Sequence, residues 1–220
     1  MPTSALVLAT LVASSNAASL YDLDLEANDL QSGLPVPMSY YRGKALLIVN
    51  VASQCGFTDS SYAYLNELHK QYASRGLAVL GFPCNQFGQQ EPGEAADIFS
   101  FVTRTKGVGF DLFRKVDVNG ANAHPLFKFL RGEDGDCRDD DGSCESWAEG
   151  GECESNPEFM GGSCRLSCKL CTPSAGVGPP IKWNFESFLV SKAGAMIERF
   201  MTGTDLTSAE TRETIERALV

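Results

Sequence analysis

Two nearly unbroken apolar runs frame the chain, Ala45 to Val51 and Leu77 to Phe82. Runs of this kind, without a polar face, read as strands buried on both sides. Between them Tyr62, Leu65, Leu68, His69 and Tyr72 recur at helical spacing, and Gly76 supplies a left-handed cap. Strand, helix and strand in this order predict a parallel pair joined by a right-handed crossover. Near the C-terminus, Ser187 to Val190 and Met196 to Phe200 read as two strands about a tight turn at Lys192, Ala193 and Gly194. The last helix opens on Thr207 and Glu210, spaced as a capping box, and carries Ile215 and Leu219 on one face. Upstream, Ser19 to Tyr41 is short and punctuated by polar residues, which suggests a hairpin leading into the first core strand.

The first apolar run of all is short. Ala5 to Ala13 is followed by Ser14, Ser15, Asn16 and Ala17, and Ser15 with Ala17 fits small-x-small cleavage. Residues 1–17 are therefore expected to be a signal peptide, with the secretory pathway or the extracellular space as destination. The alternatives are the start of an organellar presequence or an unusual cytosolic start. No run approaches the roughly 20 apolar residues that a membrane span needs.

Charge and cysteine divide the chain into two unlike pieces. Its 220 residues carry a net charge of −10, which argues against nucleic acid as a partner. Between Glu133 and Cys171, eleven acids oppose only Arg138, Arg165 and Lys169, so that −8 of the −10 lies there. The same stretch holds six of the eight cysteines.

Chemistry centres on Asn50 to Thr58 (NVASQCGFT), with Cys55 between the first core strand and its helix. A free thiol with a pKa of about 8.5 is only about 3% thiolate at neutral pH. The N–H groups at a helix start favour an anion by roughly 0.3–1 kcal/mol, which suits a nucleophilic Cys55. A buried structural cysteine is the competing reading. The second core strand runs into Pro83 to Gly93 (PCNQFGQQEPG), a loop at the carboxyl end of the sheet, where α/β sites gather. Gln90 on that loop can donate its amide hydrogens to sulfur or to a peroxide oxygen; it can equally be a solvated loop residue.

NVASQCGFT followed by GFPCNQFGQQEPG resembles the glutathione peroxidase family, thiol peroxidases of thioredoxin fold that use cysteine or selenocysteine. FDLFRKVDVNG (Phe110 to Gly120), AHPLFKFL (Ala123 to Leu130) and IKWNFESFLV (Ile181 to Val190) agree in order. The resemblance implies an α/β, thioredoxin-like domain over 19–132 and 179–220, and a catalytic set of Cys55, Gln90, Trp183 and Asn184. Cys55 would be the nucleophile that attacks the O–O bond and becomes a sulfenic acid, releasing water or an alcohol. His69 and His124 read as packing or capping residues. Thioredoxin-dependent members carry a resolving cysteine on the helix after QEPG. Here that helix is about Glu94 to Thr105, the matching position is Val102, and no cysteine lies on it. Cys84 resembles a non-resolving family position and reads as structural. An external thiol, glutathione or a similar small thiol, is then the expected co-substrate, with no bound cofactor and no metal. The short loops resemble the monomeric phospholipid-hydroperoxide type, although Phe57 stands where that type often has Lys.

The cysteine-rich stretch, 133–178, interrupts the family pattern. Its six cysteines read C-x6-C-x8-C-x10-C-x3-C-x2-C from Cys137 to Cys171. Zinc is a rival at Cys168 and Cys171, but the second pair and the histidines of a zinc module are absent. With so few apolar residues the segment needs cross-links to fold, and disulfides contribute about 3–4 kcal/mol each for such loops. Six cysteines allow fifteen pairings. The WA, GEC, NP-FM and SC-x-x-C elements resemble a ShKT module. That resemblance implies Cys137–Cys171, Cys144–Cys164 and Cys153–Cys168, a small disulfide-rich insert that could dock a protein partner or merely decorate the surface.

The chain is thus expected to be a thiol-dependent peroxidase, a monomer reducing hydrogen peroxide and organic or lipid hydroperoxides with glutathione. The alternatives are a thioredoxin-dependent peroxidase, a relay that passes oxidation from Cys55 to a protein partner, and a binding protein on an inactive peroxidase scaffold.

Overall fold

The computed structural model describes residues 19–132, 139, 141–165, 167–170 and 179–220. The expected signal peptide and the Cys137–Cys171 pair lie outside the described residues. The hairpin comes first, with β1 (Glu26–Asn28) antiparallel to β2 (Pro35–Pro37). Then β3 (Ala45–Val51), α1 (Thr58–Tyr72) and β4 (Leu77–Pro83) form the expected crossover, β3 and β4 being parallel from Ala45↔Leu77 to Val51↔Pro83. Every residue of both strands is buried. Next come α2 (Ala95–Ser100), β5 (Asp111–Leu112) and α3 (Pro125–Leu130). The insert contains α4 (Cys144–Glu149), α5 (Glu152–Ser155) and α6 (Pro157–Ser163). The chain closes with β6 (Ser187–Val190), β7 (Met196–Phe200) and α7 (Ala209–Ala218).

The main sheet has the order β5-β4-β3-β6-β7, with β6 antiparallel to both of its neighbours. A parallel βαβ half and an antiparallel hairpin followed by a helix give the thioredoxin-like architecture. Strand pleating sorts β3 onto two cores. Leu47, Val49 and Val51 pack with Leu65 and Leu68 of α1 and Ile215 of α7, whereas Leu46 and Ile48 pack with Leu126, Phe127 and Leu130 of α3.

Local chemistry sets the ends of the elements. α1 tightens into a 3-10 turn at Ala73–Arg75 and stops at Gly76, whose φ of +100° suits a residue without Cβ. The helix expected over Glu94 to Thr105 is present as α2, capped by Glu94 and Asp97, running into a π-helical turn over Phe101–Thr105. Val102 in that turn is buried. One assignment needs correction. The N-cap of α7 is Ser208, whose hydroxyl accepts from the Thr211 N–H, and not Thr207. Asp205 holds both the N–H and the hydroxyl of Thr207 in the preceding turn, so the helix starts one residue later.

His124 caps α3, with Nδ1 accepting from the Leu126 N–H at 3.2 Å. Burial pushes its pKa down, a hydrogen bond with the Glu26 backbone opposing. A histidine with a folded pKa below its unfolded value contributes fully above about 6.5, and stability is lost as pH falls from there to the folded pKa. Stability is therefore expected to fall by up to about 1.4 kcal/mol per pH unit in that window. Urea titrations at pH 7 and pH 5 should show it, and His124→Gln should flatten the difference.

The insert folds around its cross-links. Cys144–Cys164 and Cys153–Cys168 are both formed, with Cα–Cα distances of 5.2 and 5.5 Å, as the module resemblance implied. These four sulfurs are therefore not zinc ligands. Among the described residues only Met160 joins Cys144 and Cys164 as fully buried there, with Trp147 and Ala148 packed alongside. Each bond closing a loop of this size contributes about 3 kcal/mol. Reduction is expected to open the insert to trypsin at Arg165 and Lys169 while far-UV circular dichroism of the sheet persists.

Candidate active site

The site is assembled from three chain segments at the carboxyl ends of β3 and β4. The first is the turn carrying Cys55, which is 8% exposed and lies three residues before α1 begins. Thr58 closes this turn. Its hydroxyl accepts from the Cys55 N–H at 3.0 Å and donates to the Ala52 carbonyl at 2.9 Å, and its own N–H binds the Cys55 carbonyl. The Cys55 thiol is free.

The second segment is the loop after β4. Gln89 is in the left-handed region, at φ +54°, and turns the chain into Gln90. The Gln90 carbonyl accepts from the Gln54 N–H at 3.0 Å, so the loop is fastened to the residue beside Cys55. The third segment is Trp183–Asn184, just before β6. Asn184 is completely buried and donates from Nδ2 to Gln90 Oε1 at 2.9 Å. With its oxygen engaged, the Gln90 amide is left to act as a donor.

Trp183 is partly exposed and Asn184 completely buried, and the residue that follows them adopts an uncommon conformation. Phe185 has a φ of +65°, strained for an aromatic residue. Its N–H donates to the Asn50 carbonyl at 2.7 Å, and its ring meets Tyr62 edge-on at 5.8 Å. Asn50, at the end of β3, also donates from Nδ2 to the Trp183 carbonyl at 3.0 Å. The Thr202 hydroxyl holds the Asn184 carbonyl at 2.7 Å. The Trp183 ring stays 38% exposed beside Phe87. Gly88 lies against both that ring and Gln90, 3.4 Å and 3.5 Å away at its Cβ position, and its φ of +62° favours a residue without a side chain.

The structure thus joins the expected site residues, directly for Gln90 and Asn184 and through the Gln54 backbone for Cys55. Asn50 and Thr202 were missed, since ordinary polar residues in a lone sequence carry no signal of the distant groups they hold, and Thr58 was missed although its partners, Ala52 and Cys55, are local. Cys84 is elsewhere. It packs in the core on the other face of the sheet from Cys55, completely buried, and its thiol is pushed up to about 11 by desolvation. Among the described residues no group of His, Cys, Asp and Glu could hold a metal, and no helix is long and apolar enough to cross a membrane.

A family model for glutathione peroxidase matches residues 20–131 of the chain. The chain belongs to the glutathione peroxidase family. A second model, ShK domain-like, matches residues 136–171 within the insert. The chain is 41% identical over 182 residues to a hydroperoxy fatty acid reductase of Synechocystis sp., covering 83% of this chain and 86% of that one. It is 40% identical over 200 residues to a probable phospholipid hydroperoxide glutathione peroxidase of Nicotiana sylvestris, covering 90% and 92%. The crystal structure of T. cruzi GPX1 superposes with a TM-score of 0.56 at 27% identity, covering 92% of this chain and 97% of that one. As a glutathione peroxidase family member the chain is a peroxidase, with a hydroperoxide as oxidant and a thiol as reductant.

Proposed function

We propose that Cys55 is the peroxidatic nucleophile and that Gln90, Trp183 and Asn184 are its catalytic partners. The Asn184–Gln90 hydrogen bond carries this reading, because it leaves the Gln90 amide as a neutral donor that cannot compete as a nucleophile. The Cys55 thiolate attacks one peroxide oxygen, the O–O bond breaks, and the departing oxygen takes a proton to leave as water or an alcohol. Cys55 is then a sulfenic acid. One external thiol forms a mixed disulfide with it and releases water; a second frees Cys55 and leaves as the oxidised disulfide.

The reductant is glutathione or a similar small thiol, and no bound cofactor is needed. Val102, buried where a resolving cysteine would stand, supports this. An apolar hydroperoxide is the preferred substrate, with hydrogen peroxide also reduced. Phe57, Trp183 and Met201 are exposed around the site, and Gly203, two residues after Met201, lies against the Phe57 ring. The relatives above, a hydroperoxy fatty acid reductase and a probable phospholipid hydroperoxide glutathione peroxidase, are named for substrates of this kind. The catalytic domain comprises 19–132 and 179–220, acts as a monomer, and carries 133–178 as an inserted module that could meet a protein partner. The two disulfides support an oxidising compartment, the secretory pathway or outside the cell.

The test is steady-state turnover of a fatty acid hydroperoxide and of hydrogen peroxide, with glutathione and with thioredoxin. Faster turnover with glutathione is expected. Turnover with thioredoxin alone would overturn the reductant; rapid Cys55 oxidation with neither would turn the reading to a protein relay.

A further inference from the structure

Glu91 is completely buried and takes no part in the reaction just described. Its Oε1 accepts from the Ser53 hydroxyl at 2.7 Å, and its N–H donates to Asn85 Oδ1 at 2.9 Å. Among the described residues its Oε2 has no hydrogen-bond partner. One residue earlier, the Gln90 carbonyl holds the Gln54 N–H. Two consecutive residues ahead of Cys55 are thereby clasped to two consecutive residues of the Gln90 loop.

The carboxyl is an expensive group to bury there. Tyr62 of α1, whose own hydroxyl has no partner among the described residues, and Cys84, the residue after β4, both feel its charge, and Lys115 beyond β5 is the cation that offsets it. Desolvation raises the Glu91 pKa, with Ser53 and Lys115 opposing. An apolar side chain of this size would be cheaper to bury, so stability does not account for a carboxyl at this place.

We propose that Glu91 is a positioning residue for the peroxidase reaction, fixing through Ser53 the turn that carries Cys55 against the loop that carries Gln90. The inference rests on the reading of Cys55 as nucleophile and Gln90 as its donor. What acts is an acceptor oxygen facing Ser53. Glu91 itself touches no substrate.

The experiment measures, by rapid mixing, the rate of oxidation by hydroperoxide in wild type, Glu91→Ala, Glu91→Gln, Ser53→Ala and the Ser53→Ala/Glu91→Ala double variant. Melting temperatures are recorded alongside. Glu91→Ala and Ser53→Ala are each expected to slow oxidation by roughly 10- to 100-fold, the scale of a small misplacement of reacting groups. The double variant should be no slower than the slower single, since both remove one contact. Glu91→Gln keeps an acceptor and most of the rate. Wild-type rates in Ser53→Ala, multiplying losses in the double variant, or a Glu91→Gln rate as low as that of Glu91→Ala would each overturn the proposal. A merely structural role would move the melting temperature and leave these couplings flat. If Glu91→Ala does not fold, Ser53→Ala in wild type and in Glu91→Gln decides, with equal losses expected and none overturning it. Cys55→Ser, run in parallel, separates the two levels. Loss of fast oxidation there keeps the nucleophile assignment whatever Glu91 does, and its persistence removes that assignment.

Discussion

Cys55→Ser is expected to cut hydroperoxide turnover by at least about 1000-fold, while Cys84→Ser leaves turnover within about twofold. A serine hydroxyl keeps the shape of the site and its hydrogen bonds but is a far weaker nucleophile than a thiolate. No other residue can replace it, because the remaining core thiol is held in a different environment. Cys84 is completely buried, its thiol is raised to about 11, and it lies across the sheet from Cys55. A disulfide between the two would have to join residues that pack in separate cores on opposite faces of the sheet. Cys84→Ser shortens the side chain that reaches Gln86 Oε1 at 3.7 Å and buries a hydroxyl in a mostly apolar core, so its melting temperature should fall although its turnover does not. Turnover with glutathione and circular dichroism melts of both variants check this. A Cys84→Ser variant that loses turnover with its fold intact would make Cys84 a resolving residue.

The parts legible in the sequence were those whose signal is local. Ala45 to Val51, the Tyr62–Tyr72 period and Gly76 each state their own conformation, and β3, α1 and the left-handed cap appear where those patterns lie. The hairpin at Ser187 to Phe200 was equally plain. Ser208 was missed because Thr207 and Glu210 satisfy the same spacing rule; the choice was made by Asp205, which binds Thr207. The disulfides of the insert were readable only through resemblance, as spacing alone left fifteen pairings open. Phe185 is the hardest case. Nothing about a phenylalanine announces a positive φ, and its conformation is imposed by Asn50, more than a hundred residues away, and by the Tyr62 ring.

The insert poses a mechanical problem: it re-enters the core only a few residues before Trp183 and Asn184. Its return is fastened twice. Asn119 accepts from the Ile181 N–H at 3.0 Å and donates to the Ile181 carbonyl at 2.7 Å. Arg199 of β7 donates to the Pro179 and Pro180 carbonyls at 2.6 and 3.3 Å, and grips Glu186 Oε2 at 2.6 and 2.9 Å. The Lys182 N–H completes the clamp on Glu186 Oε1 at 2.6 Å. These contacts tie residues 179–182 to Asn119 and to β7 directly ahead of Trp183 and Asn184, the proposed catalytic pair.

Arg199→Ala is accordingly expected to be the most damaging change outside the site itself. The Glu186 side chain is fully buried and that of Arg199 is 12% exposed. Removing the guanidinium strands a buried carboxylate, a loss of about 3–5 kcal/mol where similar pairs have been broken. At roughly 2–4 °C per kcal/mol for a chain of this size, the melting temperature should drop by about 6–20 °C. Turnover should fall as well, because Trp183 and Asn184 lie between the two clamped positions, Lys182 and Glu186. Arg199→Lys restores a charge without the planar fork and should recover only part of the loss. The paired substitution Glu186→Gln with Arg199→Met tests the physical cause. If the damage comes from the stranded charge, this double variant regains most of the melting temperature while turnover stays low, since no guanidinium then holds Pro179 and Pro180. If the double variant melts as early as Arg199→Ala, the carbonyl contacts, rather than the ion pair, hold this edge of the sheet.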